Sequence, residues 1–144
     1  MRGCVYRLAV PHRHIDEHPH VVVVVSGNQC FVVPAYTPGK HSITEAINAL
    51  ERMGIPRDKA CVELDNSKHI SGHKEFKGHV ACWFTYTAYW ASKSVLEQKN
   101  YIGVMDEAGM EKIAQGILAL ADYKSELFSP KHLMQIRQWL RSSR

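Results

Sequence analysis

Four of the nine histidines in this 144-residue chain fall at tight spacing, His12-x-His14-x3-His18-x-His20. Alternate residues of an extended chain share a face, so this run can present four imidazoles on one side. Converging neutral imidazoles suit zinc, copper, nickel or iron. Pro11 and Pro19 interrupt a single strand, however, and an exposed loop that never closes on a metal is the plainer arrangement. A second group lies at 66–79 (NSKHISGHKEFKGH), where Lys68, His69, His73, Lys74, Lys77 and His79 surround Phe76. Charge beside a ring suits single-stranded nucleic acid; Glu75 dilutes it, and solvated lysines are the ordinary alternative. A third group is C-terminal. Arg137, Arg141 and Arg144 recur at i, i+4 and i+7, and with Lys131 they account for the whole net charge of +4, because residues 131–144 hold no acid. A neutral body with one basic end permits contact with nucleic acid without demanding it.

The elements that must position these groups start from His20 to Thr37 (HVVVVVSGNQCFVVPAYT). Five consecutive valines are stiff at χ1 and suit a pleated strand. With no polar alternation, both faces of that strand should be buried. Ser26-Gly27-Asn28-Gln29 supplies turn chemistry and Cys30 to Val33 is a second apolar run, so the segment predicts a β-hairpin. Its open ends, His18-Pro19-His20 and Ala35-Tyr36-Thr37, then lie close together. Cys4 to Val10 reads as a strand stopped by Pro11. The two prolines and the glycine of Pro34 to Gly39 should break regular structure. Ser42-x-x-Glu45 fits a capping box, followed by helical apolar spacing that stops at Gly54 and Pro56. Cys61 to Leu64 is a short strand, and 66–79 reads as a long loop. Val80 to Trp90, dense in aromatics, predicts a strand or strand pair; its rings (Trp83, Phe84, Tyr86, Tyr89, Trp90) suit the core or a dimer face better than base stacking. Tyr101 to Met105 is a last strand, Asp106 caps a helix, and Ser129-Pro130 opens a final helix over 131–142 with Leu133, Ile136 and Leu140 inward.

The order β-β-β-α-β-β-β-α-α does not alternate as a parallel α/β fold would. It predicts an α+β domain: a small curled antiparallel sheet or barrel with about three helices packed outside. The length suits one domain, 1–144, with a core that needs no staples. No window approaches the ~18 apolar residues of a membrane span, and the N-terminus opens onto a strand rather than a signal-peptide core. The four cysteines, Cys4, Cys30, Cys61 and Cys82, stand singly, mostly inside apolar runs, with no CxxC pair. Free buried thiols in a reducing cytoplasm are the expectation.

Three stretches resemble the PemK/MazF family of toxin endoribonucleases. HPHVVVVVSG is similar to that family's basic residue, proline and valine-rich strand; FVVPAYTP to its next strand and VPxT-like turn; YIGVMDEAGMEKIAQGILAL to its last strand and helix. The resemblance covers about half the chain and implies an SH3-like barrel with appended helices. It implies further that Thr37 stands where the family's threonine meets the scissile phosphate, and His18 where an arginine precedes the proline. Arginine is a permanent bidentate clamp, whereas histidine is charged at neutral pH only when its pKa is raised. His18 suits a general base or acid for attack by a 2′-hydroxyl, with His20 as the second proton-transfer group. The family's Gly-Asp strand start is replaced here by Met1-Arg2-Gly3-Cys4. The histidine run, with Glu17 and with Pro34-Ala35 followed by His41, also resembles the two metal-binding motifs of cupins. It lacks their glycine, and His41 leads into a helix.

Three functions follow as expectations. One is metal-independent, cofactor-free cleavage of single-stranded RNA by His18, Thr37 and His20, with Lys68, His69, Lys74, Lys77, Arg137 and Arg141 gripping the strand. The second is a non-catalytic binding or regulatory module on the same barrel, favoured by the missing arginine. The third is a metalloprotein using His12, His14, His18 and His20. The family likeness implies a cytoplasmic homodimer with an antitoxin-like protein partner, and nothing in the chain suggests a membrane.

Overall fold

The computed structural model describes residues 1–9, 17–38, 41–72 and 80–142, and the side chains of all of these except 41 and 42. Among these residues eight strands and six α-helices run in the order β1 (Cys4–Ala9), β2 (Glu17–Ser26), β3 (Gln29–Tyr36), α1 (His41–Arg52), α2 (Arg57–Ala60), β4 (Val62–Asp65), α3 (Asn66–His69), β5 (Ile70–Ser71), β6 (Val80–Trp83), β7 (Tyr89–Ser92), α4 (Lys93–Glu97), β8 (Asn100–Met105), α5 (Glu107–Tyr123) and α6 (Pro130–Ser142). The fold is α+β, a curled antiparallel sheet with helices outside it.

The valine run builds the centre as expected. Gly27 and Asn28 make a two-residue turn, with Gly27 at φ +59° where a side chain would be strained. Pairing runs from Ser26↔Gln29 to His20↔Pro34, with a bulge between Val22 and Val24. The bulge sends Val21, Val23 and Val24 into the larger core, while Val22 joins Tyr6, Leu8, Cys30, Val32 and Leu96 on the opposite face. Both faces are therefore buried. α1, α5 and α6 cover the first face; Leu96 of α4 closes the second.

β3 does not break at Pro34 but continues to Tyr36. The reason is a change of partner. β7 pairs with Gln29 to Val32 and β6 with Ala35 and Tyr36, so Pro34 stands between them, where no strand needs its absent N–H. Its carbonyl still accepts from the Phe84 amide at 2.9 Å.

The strand order β4-β6-β3-β2-β1-β8-β5 puts β4 and β5 at opposite edges. Laid flat, edges six gaps apart would be separated by roughly 29 Å. Yet only the one-turn helix α3 joins them, so the sheet curls until its edges meet. Two contacts anchor the chain on either side of this connection. The buried Trp83 Nε1 donates to Asn66 Oδ1 at 3.0 Å, and Gly103 lets β8 lie so close to β5 that an added Cβ would collide with the Ser71 carbonyl. The segment predicted as one long loop is thus ordered over 66–71; residues 73–79 lie outside the described part. α2, α3 and α4, each of five residues or fewer, are additions to the three long helices expected.

Candidate functional site

Along β2 the environment changes within four residues. Glu17 is exposed, His18 and Pro19 are half-buried, and His20 is fully buried. His18 and His20 share a face, but they meet different neighbours. The pairing that sets His20 opposite Pro34 carries His18 to Tyr36, and their rings lie 4.6 Å apart, tilted by 47°. Tyr36 in turn packs edge-on against Phe84 at 6.1 Å. Thr37, one residue beyond β3, is exposed. The open end of the hairpin thus presents an imidazole backed by a phenol ring, with Glu17 and Thr37 exposed at the ends of the two strands.

His20 has no such opening. Its Nδ1 lies 2.8 Å from the His18 carbonyl oxygen and its Nε2 2.9 Å from the Tyr89 hydroxyl. A carbonyl only accepts, so Nδ1 carries the proton and Nε2 accepts from Tyr89. The Tyr89 ring stands edge-on to the imidazole at 5.5 Å. Burial lowers the His20 pKa to about 4, against the smaller opposing effect of its bond to the His18 backbone. Burial, with Tyr36 nearby, pushes the Tyr89 phenol up to about 12. Both groups are neutral across the physiological range, and His20 has no free proton site from which to serve a substrate. The structure thus leaves His18 half-exposed and Thr37 exposed at the hairpin's open end and seals His20 further in.

The other expected groups lie elsewhere. His69 Nδ1 sits 2.9 Å from Asp106 Oδ1. That same oxygen caps α5 by accepting from the Gly109 amide at 2.7 Å, so the imidazole is tied to a helix cap. Lys68, beside it on α3, is exposed. Lys74 and Lys77, with His73, Phe76 and His79, lie outside the described residues. Arg137 and Arg141 are exposed on α6, as are Met134 and Gln138. But α6 covers the larger core near the turn end of the hairpin, where His132 stacks on Trp90 at 4.1 Å. Its basic stripe is not part of the hairpin's open end. His12, His14 and Arg144 also lie outside the described residues, and among the described ones no three His, Cys, Asp or Glu side chains gather as a metal cage. Among the described residues no helix is long and apolar enough to cross a membrane.

Tyr36 and Tyr89 are the site residues that the sequence did not single out. Tyr89 sat inside an aromatic run assigned to the core or to a dimer face. The signal that could have found it is a buried histidine's need for partners on both nitrogens. No family model, curated protein or solved structure matches this chain. The likeness to PemK/MazF toxins therefore rests on the three stretches quoted above.

Proposed function

We propose that the protein binds single-stranded RNA at the open end of the β2–β3 hairpin and holds it without cutting it. The observation that carries this reading is the contrast between His18 and His20. His18, half-exposed on Tyr36, offers a flat face on which an unpaired base can stack. Cleavage of RNA without a metal calls for an acid and a base, and sealing His20 removes the second group. Thr37 and the backbone at the end of β3 supply hydrogen bonds to a sugar or phosphate. With Glu17 exposed at the same strand end and the α6 arginines on another surface, few cations among the described residues face a phosphate here. The slope of log K against log salt should then be shallow, about −1 to −2 at roughly −0.7 per phosphate for a single strand. A module that does not cleave has no toxicity for an antitoxin-like protein to restrain.

The test is incubation of purified protein with labelled mixed-sequence single-stranded RNA in excess EDTA, read by gel and by fluorescence anisotropy. Intact RNA is expected, with binding weakened roughly tenfold by His18→Ala, the loss of about one stacking contact. Discrete fragments that vanish in Thr37→Ala would replace this reading with the metal-independent nuclease. Neither binding nor cleavage would refute both.

A further inference from the structure

A second chemical centre lies beside β4, away from the hairpin's open end. α5 approaches β4 over Gly116, where an added Cβ would collide with Val62. The groove between α2, β4 and α5 has a volume of about 700 Å³, and Arg57, Cys61, Glu63 and Lys112 are among its walls. Cys82 lies behind that wall, 1% exposed. Glu63 pairs with Cys82, so Cys61, two residues before Glu63, falls on the same face, one diagonal step from Cys82. The two thiols are thus neighbours on one face of adjacent strands. Cys61 Sγ is also 3.6 Å from the Arg57 carbonyl oxygen.

The surroundings separate the two thiols chemically. The Cys82 thiol next to it, with the Arg57 guanidinium adding to the effect, draws Cys61 below the usual thiol range against the cost of burial. The Cys61 sulfur and burial hold Cys82 well above that range. One sulfur therefore ionises first, and it is the one that lines the groove. The remaining cysteines differ. Cys30 is buried against Met1, its Sγ 3.5 Å from the thioether, and burial pushes its thiol up.

We propose that Cys61 and Cys82 are a peroxide-driven thiol–disulfide pair, Cys61 attacking the oxidant and Cys82 resolving the product. The Cys61 thiolate attacks one oxygen of hydrogen peroxide and the O–O bond breaks. Hydroxide leaves and takes a proton to become water, while the sulfur, oxidised by two electrons, becomes a sulfenic acid. Cys82 sulfur then attacks Cys61 sulfur. The S–S bond forms, the S–O bond breaks, and the departing hydroxyl leaves as water with the Cys82 proton. A diagonal pair must draw closer to reach disulfide range. Cys61 precedes the first paired residue of β4, so that movement falls on a residue outside the ladder. A dithiol reductant reverses the reaction.

The test treats the full chain with hydrogen peroxide under native conditions, blocks remaining thiols with N-ethylmaleimide and maps the peptides by mass spectrometry, with Cys4 and Cys30 as internal references. The expected product is a peptide pair joined between residues 61 and 82, restored to free thiols by dithiothreitol and lost in Cys61→Ser and Cys82→Ser. With Cys82→Ser the sulfenic acid has no resolving partner, so dimedone should label Cys61. Recovery of Cys61 and Cys82 as separate blocked thiols after Cys4 has been oxidised would overturn the proposal, as would dimedone on Cys82 in Cys61→Ser. The mapping of the native chain decides the matter even where a serine variant fails to fold.

Discussion

Replacing His20 by asparagine should change how stability depends on pH more than it changes the fold. In the folded chain burial holds the His20 pKa at about 4, against 6.5 for an unperturbed imidazole. Below pH 6.5 the unfolded chain therefore binds a proton that the folded chain refuses, and stability falls as the pH falls. The contribution is fully present above about 6.5 and exhausted below about 4. At ~1.4 kcal/mol per unit the whole effect is about 3 kcal/mol, of which about 2 kcal/mol is lost between about pH 7.5 and about pH 5. Asparagine overlays its amide nitrogen on Nδ1 and keeps the donor to the His18 carbonyl, but it does not titrate. It strands the Tyr89 hydroxyl, at a cost of about 1–3 kcal/mol. Urea unfolding of both proteins at the two pH values should show the variant clearly weaker near neutrality, with the gap narrowing by about 2 kcal/mol in acid. Subtracting the two profiles removes the other histidines, which both proteins share. A gap that stays constant from about pH 7.5 to about pH 5 would refute the account of a neutral, sealed His20.

Further outcomes test the seam and the helices. Asp106→Ala removes the acceptor shared by the Gly109 amide and His69, and should cost about 1–2 kcal/mol, a fall of about 3–8 °C in Tm by calorimetry. Gly103→Ala drives a methyl into the Ser71 carbonyl and should cost about 2–4 kcal/mol, with loss of hydrogen-exchange protection in β5 and β8. Gly27→Ala, which meets no atom within 4 Å, carries only the backbone strain of its positive φ, about 1 kcal/mol. Equal losses at Gly103 and Gly27 would argue against the close β5–β8 approach.

The hairpin was legible because three local signals agree in one segment: β-branched residues, a Gly-Asn turn, and a second apolar run at the right distance. The Asp106 cap and the inward stripe of α6 were legible for the same reason. What sequence could not supply was the partner of each strand. Pro34 reads as a break because local rules assume that every strand residue needs its N–H, whereas here one partner strand ends before it and another begins after it. The residues 66–71 read as loop because α3 and β5 are too short to show a period. They are held by the seam they close. The short α4 was unreadable in the same way, although its Leu96 completes the second core.

The candidate site follows the same division between local pattern and tertiary placement. His18 and His20 are equivalent by spacing, by residue type and by their shared strand face, and the sequence assigned both to chemistry. Burial separates them. A valine run that buries both faces of β2 can leave a polar group exposed only at the strand's end, so the first histidine outside the core keeps solvent and the next one inward loses it. Once inward, an imidazole must satisfy two nitrogens, and the only fully buried way to do so is the neutral form, with one bond given and one received. The His18 carbonyl and Tyr89 hydroxyl provide that pair of bonds. The feature that stabilises the hairpin is thus the one that removes His20 from acid–base work. A protein that cut RNA here would need another group to take its place, and the exposed carboxylate next in sequence to His18, that of Glu17, falls on the opposite face of β2. The decisive variant for that alternative is Glu17→Gln: cleavage that it abolishes would make Glu17 and His18 the acid–base pair, and intact RNA with unchanged stacking would leave the open end as a binding surface.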